Sequence, residues 1–273
     1  MRIALALLFG LLLFSGIANA QNLLTGKEIY GINCKAVVQV YVNGQFSGVG
    51  FLTSADGTIM TANHVVTTRD SNFRQYADHI QVLVDGYTAP FVATPITTQI
   101  SGDQVNYDSV LIKITSASQL PYVKLGSWKD VDVSDRLTIL PSWPGLGCIA
   151  LEGIVAKSAP VQTPLGPEPV NTILFQSPVR NGFSGSPIFS PKGNVIAIVD
   201  TKVFGISTSL DELRNKWLTT SSQGRVAIMG IDLAGSFLDL INNLDQNLIS
   251  GLGSGVAIDY AKQLQAAQTP NQK

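Results

Sequence analysis

The chain has 273 residues, of which 45% are apolar and only 14% charged, against about 25% charged in an average soluble domain. Its 18 Lys and Arg against 19 Asp and Glu leave a net charge of −1, which excludes a nucleic-acid binder held by clustered cations and a disordered polyelectrolyte. With 2 His and 2 Cys, and neither a CxxC pair nor two His at helical spacing, the sequence predicts no metal site and no cofactor.

Met1 and Arg2 precede an apolar run over 3–17 and the small-x-small triplet Ala18-Asn19-Ala20, the pattern of a secretory signal peptide cleaved before Gln21. A membrane anchor needs about 20 apolar residues, whereas this run is shorter and ends on a cleavage signal. The mature chain is therefore expected to be exported, periplasmic or extracellular, without a stable membrane anchor, where disulfides persist. Over 36–114, short β-rich runs alternate with turn signals: 36–42 before Asn43-Gly44, 47–53 before Asp56-Gly57, 80–84 before Asp85-Gly86, and then 107–114. That spacing belongs to an antiparallel barrel or sandwich. After a polar connection at 116–126 the runs resume at 136–140, 148–157, 172–176, 186–189 and 195–199, so two β-units of similar size are predicted.

The pattern breaks at 209–219, where Ser209 and Glu212 have capping-box spacing and Leu210, Leu213 and Trp217 share a helical face. A second amphipathic helix follows, with Leu233, Phe237, Leu240, Ile241, Leu244 and Leu248 on one side. Both apolar stripes are expected to pack on the β-units. A last strand at 256–258, a short helix capped by Asp259 and a polar tail close the chain. The expected organisation is a signal peptide at 1–20, a first β-unit at 21–120, a second at 121–262 carrying a helical insertion at 203–250, and the tail at 263–273.

Asn181-Gly182-Phe183-Ser184-Gly185-Ser186-Pro187 sets a serine between glycines, on a tight turn whose N–H groups can converge where an oxyanion develops during acyl transfer. Alone, the heptapeptide reads equally well as a Gly/Ser-rich loop. A serine nucleophile, however, needs a general base, and the base needs an acceptor that fixes its tautomer. Only His64 and His79 are available. His64 lies in Thr61-Ala62-Asn63-His64-Val65-Val66, after the run Gly48-Val49-Gly50-Phe51-Leu52-Thr53, whereas His79 opens an ordinary strand and reads as a surface residue. Tyr107-Asp108-Ser109-Val110-Leu111-Ile112 then sets a carboxylate at the head of an apolar strand, where an unpaired Asp is costly to bury.

The order His, Asp, Ser and these three contexts resemble the chymotrypsin/trypsin-like serine peptidases, in which a Thr-x-x-His stretch follows the second strand, an Asp opens a Leu/Ile-rich strand and Gly-x-Ser-Gly-Gly/Ser-Pro carries the nucleophile. The resemblance covers about 36–199 and the closing strand near 256, and within the family it is greatest to the bacterial secreted branch of HtrA-like and glutamyl endopeptidases. It implies an all-β fold of two six-stranded antiparallel barrels with a helical insertion and a C-terminal helix. It implies a serine endopeptidase acting on polypeptides through an acyl-enzyme, with Ser184 as nucleophile, His64 as general base and acid, Asp108 orienting His64, and the N–H groups of Gly182 and Ser184 as the oxyanion hole. Asn181, Asp200 and Thr201 would then bind substrate. The carboxyl of Asp200 could face the primary pocket and favour a basic side chain there, could face Asp108, where two close carboxylates force one to hold a proton, or could lie at the surface. A Cys34–Cys148 disulfide, in a place similar to one in trypsin-like proteases, would tie the two barrels together; two buried free thiols are the alternative.

Three departures accompany the resemblance. Phe183 stands where trypsin-type zymogens have an Asp, so no N-terminal ion pair is expected to switch activity on. The residues after Ser184 complete the second barrel and no PDZ domain is expected after them. Residues 203–250 replace a short loop at the rim of the primary pocket, and either gate it or dock on the barrel for stability alone. An α/β-hydrolase would need the order Ser, acid, His, and no His follows Ser184. A catalytically silent barrel that only binds is the rival from another functional class.

Overall fold

Asn43 and Gly44 both take positive φ, 51° and 78°, the backbone that a tight hairpin between right-twisted strands requires. They join β1 (Val37–Val42) to β2 (Gln45–Leu52). The computed structural model describes residues 23–68, 75–162, 168–202, 206–221, 227–228, 231–247 and 250–268. Before β1 stands α1 (Gly26–Asn33), opened by a reciprocal capping box in which Thr25 Oγ1 accepts from the Glu28 N–H and the Glu28 carboxylate from the Thr25 N–H.

The first half then adds β3 (Thr58–Thr61), the one-turn helix α2 (Asn63–Val66), β4 (Ile80–Val84), β5 (Phe91–Pro95), the short α3 (Gly102–Asn106) and β6 (Val110–Lys113). Its six strands close into a barrel in the order β1-β2-β3-β6-β5-β4, every neighbour antiparallel. Two of them escaped the sequence pattern. All four residues of β3 are buried, so no alternation marks it, and β5 ends on Pro95, a residue that argues against a strand when read locally.

The second half comprises β7 (Arg136–Ile139), the small pair β8 (Ser142–Trp143) and β9 (Gly147–Cys148), β10 (Leu151–Val161), β11 (Val170–Val179), β12 (Pro187–Phe189), β13 (Val195–Lys202), α4 (Ile206–Ser221), the pair β14 (Ala227–Ile228) and β15 (Ile231–Asp232), α5 (Leu233–Asn247), β16 (Ser250–Ala257) and α6 (Ile258–Gln268). Six of these strands close a second barrel in the order β10-β11-β16-β13-β12-β7. Thus the chain is built on two closed six-stranded antiparallel barrels, as the resemblance implied. One apolar core fills the first barrel and runs into Leu140, Phe189, Val195 and Ile198 of the second half and Ile258 and Ala261 of α6. Another, with Leu137, Ile139, Val155, Ile173, Phe175 and Ile188, fills the second barrel.

Several local expectations are corrected. α4 starts at Ile206, so Ser209 lies inside the helix and cannot cap it. Among the described residues, the principal contacts of α4 and α5 are with each other and with β14 and β15, not with the barrels. Trp217 and Phe237 meet with ring centroids 4.7 Å apart, and Leu213, Leu218 and Leu240 stay exposed. Leu248 lies outside the described residues, as does segment 1–20, read from sequence as a signal peptide. β16 is longer than the strand expected at 256–258, because its first residues pair with β11 through glycines that carry no strand signal. Asp259 sits in the first turn of α6 rather than before it, and its carboxylate accepts from Ser127 Oγ (3.1 Å) and the Trp128 N–H (3.2 Å), capping the 3₁₀ turn Trp128–Asp130 instead. α6 runs on to Gln268, so residues 263–268, read as polar tail, are helical.

Candidate active site

His64 is the second residue of α2, which begins directly after β3. Two hydrogen bonds tie the start of that helix to Asp108: the Asn63 N–H donates to Asp108 O (3.1 Å) and the His64 N–H to Asp108 Oδ1 (2.9 Å). The second carboxylate oxygen, Oδ2, lies 2.6 Å from His64 Nδ1. Asp108 is only 8% exposed and has φ 40°, a left-handed backbone that Asp tolerates better than most residues. That turn, between α3 and β6, aims the carboxylate back at α2. With both oxygens engaged, the buried charge is satisfied, and the Nδ1 proton on the Asp108 side leaves Nε2 as the basic nitrogen.

Ser184 occupies the turn between β11 and β12, flanked by Gly182 (φ 90°) and Gly185 (φ 86°). Within this turn the Phe183 N–H donates to Arg180 O, the Gly185 N–H to Val199 O and the Ser186 N–H to Phe183 O. The Gly182 and Ser184 N–H groups donate to no backbone acceptor among the described residues. The turn is pinned across the barrels, because the Val49 N–H of β2 donates to Ser184 O at 2.9 Å. Close approach requires glycine on both sides. A Cβ on Gly48 would sit 2.9 Å from Ser184 O, and one on Gly185 would run into Val49 O and lie 2.6 Å from Thr61 Oγ1. The Ser184 hydroxyl itself donates to Asp200 O at 3.1 Å.

Asp200 falls at an irregularity of β13: Val199 pairs with Gly255 and Thr201 with Ser254, leaving Asp200 as the extra residue. A bulge re-aims its side chain, and the carboxyl comes within 4.8 Å of ligand-type atoms of both His64 and Asp108. As a residue Asp200 keeps some accessible surface, but its carboxyl is enclosed. Burial first, and then the charge and hydrogen bond of Asp108, push its pKa up to about 8, with His64 and Ser254 acting in the opposite sense. Of the three arrangements open to Asp200 from sequence, this is the one against Asp108. One ligand-type atom from each of His64, Asp108 and Asp200 lies within 4.8 Å of the others. The 2.6 Å contact between His64 Nδ1 and the Asp108 carboxylate is that of a charge-assisted hydrogen bond, and the Asp200 carboxyl stands beside this pair.

Asn181 is exposed on the turn before Gly182, and Thr201 follows Asp200 in β13. His79 is exposed at the entrance of β4, where its carbonyl accepts from the Asn43 N–H. Cys34 and Cys148 form a disulfide with Cα atoms 5.8 Å apart, joining the segment before β1 to β9. Sequence reasoning missed an aromatic brace behind the nucleophile turn. Trp143 of β8 packs edge-on to Phe46 of β2 (5.2 Å) and to Phe183 (6.0 Å), and the Arg180 guanidinium lies 3.8 Å over its ring. These residues are far apart in sequence and form no motif.

Residues 48–198 match the family profile of the trypsin-like peptidase domain. The protein named Probable periplasmic serine endoprotease DegP-like from Rickettsia conorii is 26% identical over 165 residues, covering 60% of this chain and 28% of that protein. Its namesake from Brucella suis biovar 1 is 30% identical over 162 residues, 59% of this chain and 28% of that protein. The chain thus spans less than a third of the length of these curated relatives. Among solved structures, the HtrA-type protease AlgW with tripeptide superposes at TM-score 0.61 with 18% identity, over 89% of this chain and 63% of that one. Rv3671c from M. tuberculosis H37Rv, as an inactive serine-to-alanine mutant, superposes at TM-score 0.56 with 15% identity, over 89% and 92%. At these identities the two structures share the fold.

Proposed function

The chain belongs to the trypsin-like peptidase domain family, and on that premise we propose that it is an exported serine endopeptidase that cleaves polypeptides through a Ser184–His64–Asp108 triad and an acyl-enzyme. The observation that carries this reading is the convergence on one barrel interface of an Asp108-bound His64 and a serine turn whose Gly182 and Ser184 N–H groups have no backbone acceptor among the described residues. In the reaction, the Ser184 hydroxyl leaves Asp200 O and gives its proton to His64 Nε2 as Oγ attacks the scissile carbonyl. The Gly182 and Ser184 N–H groups receive the oxyanion, where charge develops. Asp108 holds the imidazolium that forms, and His64 then protonates the leaving amine. Water repeats the sequence on the acyl-enzyme. Asn181 and Thr201 flank this centre and contact the substrate. Export rests on the signal-peptide pattern at 1–20 and fits relatives that are named periplasmic.

The hydrogen bond from Ser184 Oγ to Asp200 O favours a second reading, a silent barrel that binds without turnover. A fluorophosphonate probe separates the two. The proposed enzyme is labelled on Ser184 and cleaves a denatured protein substrate, and Ser184→Ala abolishes both. A wild-type chain that takes up no probe and cleaves nothing overturns the proposal in favour of the silent barrel.

A further inference from the structure

The bulge at Asp200 raises a question that a triad alone does not answer, namely why a second carboxyl is built against the one that orients the histidine. We propose that Asp200 is a positioning residue that holds a proton and donates it to Asp108, keeping that carboxylate aligned on His64 and the imidazole uncharged in the resting enzyme. This rests on the serine-peptidase reading.

Three observations support it independently of one another. Between Val199 and Thr201, whose partners Gly255 and Ser254 are consecutive, the register shift of β13 leaves Asp200 out of pairing with β16, so the backbone is shaped to deliver this side chain inward. A carboxyl oxygen of Asp200 lies within 4.8 Å of one of Asp108, and two enclosed carboxyl groups this close settle together only if one of them carries a proton. Asp108 already accepts from the His64 N–H and His64 Nδ1, which makes Asp108 the ionised partner and Asp200 the donor. The groups bearing on Asp200 are Asp108 from the turn before β6, His64 from α2 and the Ser254 hydroxyl from β16; among the described residues no Lys or Arg supplies it with a positive charge.

The proton count explains what the arrangement does. Neutral His64 with protonated Asp200, and imidazolium with ionised Asp200, hold the same number of protons. Enclosure of the Asp200 carboxyl disfavours its charged form, so the shared proton stays there and His64 remains free to accept one from Ser184. When His64 takes that proton, the imidazolium faces the single negative charge of Asp108. Above the pH at which Asp200 ionises, two carboxylates repel across the hydrogen bond they had shared, and Asp108 loses its alignment.

The test uses the full mature chain and the variants Asp200→Asn and Asp200→Ser, each able to donate a hydrogen bond but unable to ionise. In the Ser184→Ala chain labelled with carbon-13 at aspartate carboxyls, one carboxyl should remain protonated at pH 6, titrate near the value of about 8, and vanish from the spectrum in Asp200→Asn. For the chain with Ser184, the rate of fluorophosphonate labelling should fall on the alkaline side, and both variants should label within several-fold of wild type at neutral pH without that alkaline fall. A purely structural role would lower the rate at every pH and leave the profile's shape alone. An ionised Asp200 at pH 6, or an alkaline limb equally present in both variants, overturns the proposal. Failure of the wild type to label at any pH would instead sink the peptidase reading, while the carboxyl titration still decides where the proton lies.

Discussion

At the scale of single residues, the site depends on short distances between groups that water would otherwise separate. Replacing His64 by Ala removes the base that Asp108 holds at 2.6 Å, and probe labelling and peptide cleavage should both fall by about 10³-fold or more, as expected when one member of a hydrogen-bonded triad is lost. Asp200 also links stability to pH. Its folded-state pKa is raised, chiefly by burial, to about 8, whereas an unfolded chain gives up that proton in the ordinary carboxylate range near ~3.9. The folded form therefore binds the extra proton between those limits, and stability should fall as pH rises through this window and level off above it. Unfolding midpoints in urea measured across the window should show this slope in wild type and its loss in Asp200→Asn. Gly185 has less tolerance still. A methyl group there meets Val49 O and Thr61 Oγ1 at a φ of 86°, so Gly185→Ala should cost about 1–3 kcal/mol and slow labelling of Ser184, both measurable on the same preparation.

At the scale of elements, the Ser184 turn is braced by aromatic packing. Phe183 is buried against Trp143, which also carries Arg180 and Phe46, and an aromatic side chain offers no acceptor for a terminal ammonium. Chains beginning at Gln21 and chains with a few added residues before it should therefore label at equal rates; a gain confined to one exact N-terminus would contradict this. The α4–α5 pair leaves β13 two residues after Asp200 and returns at β16, whose Ser254 reaches the Asp200 carboxyl. Among the described residues its principal contacts are within itself and with β14 and β15. Replacing residues 204–250 by a short Gly-containing loop should broaden the cleavage profile and raise the labelling rate, if these helices restrict access. An unchanged profile and rate in a folded variant would show that they do not.

At the scale of the whole molecule, the two barrels are joined at the candidate site and beyond it. A shared apolar core, the Val49–Ser184 backbone hydrogen bond and the Cys34–Cys148 disulfide all cross from one half to the other. The disulfide closes a span of 114 residues, and its loss in Cys34→Ser/Cys148→Ser should lower stability by about 2–5 kcal/mol. Chemical denaturation of the two proteins measures that difference, and thiol titration of unreduced wild type should find no free cysteine.

As candidates, Ser184, His64 and Asp108 were legible in the amino-acid sequence because each sits in a constrained local context: a glycine-bracketed turn, a Thr-x-x-His stretch after an apolar run, and a carboxylate heading an apolar run. The two-unit β organisation was legible for the same reason, since turn residues and strand periodicity act over a few positions. Capping at Ser209 and Asp259 misled, because a capping motif specifies a hydrogen bond but not which helix receives it, and Asp259 serves Trp128 instead. β3 and β5 gave no signal, because full burial erases alternation and Pro95 mimics a break. Sequence alone left the orientation of Asp200 open among three possibilities. Only the tertiary structure chose, because that orientation follows from a one-residue shift between β13 and β16, set by how two distant strands pair and carried by no local pattern. The aromatic brace of Phe46, Trp143 and Phe183 was likewise decided by barrel closure, which brings together side chains from β2, β8 and the nucleophile turn that no spacing in the chain relates.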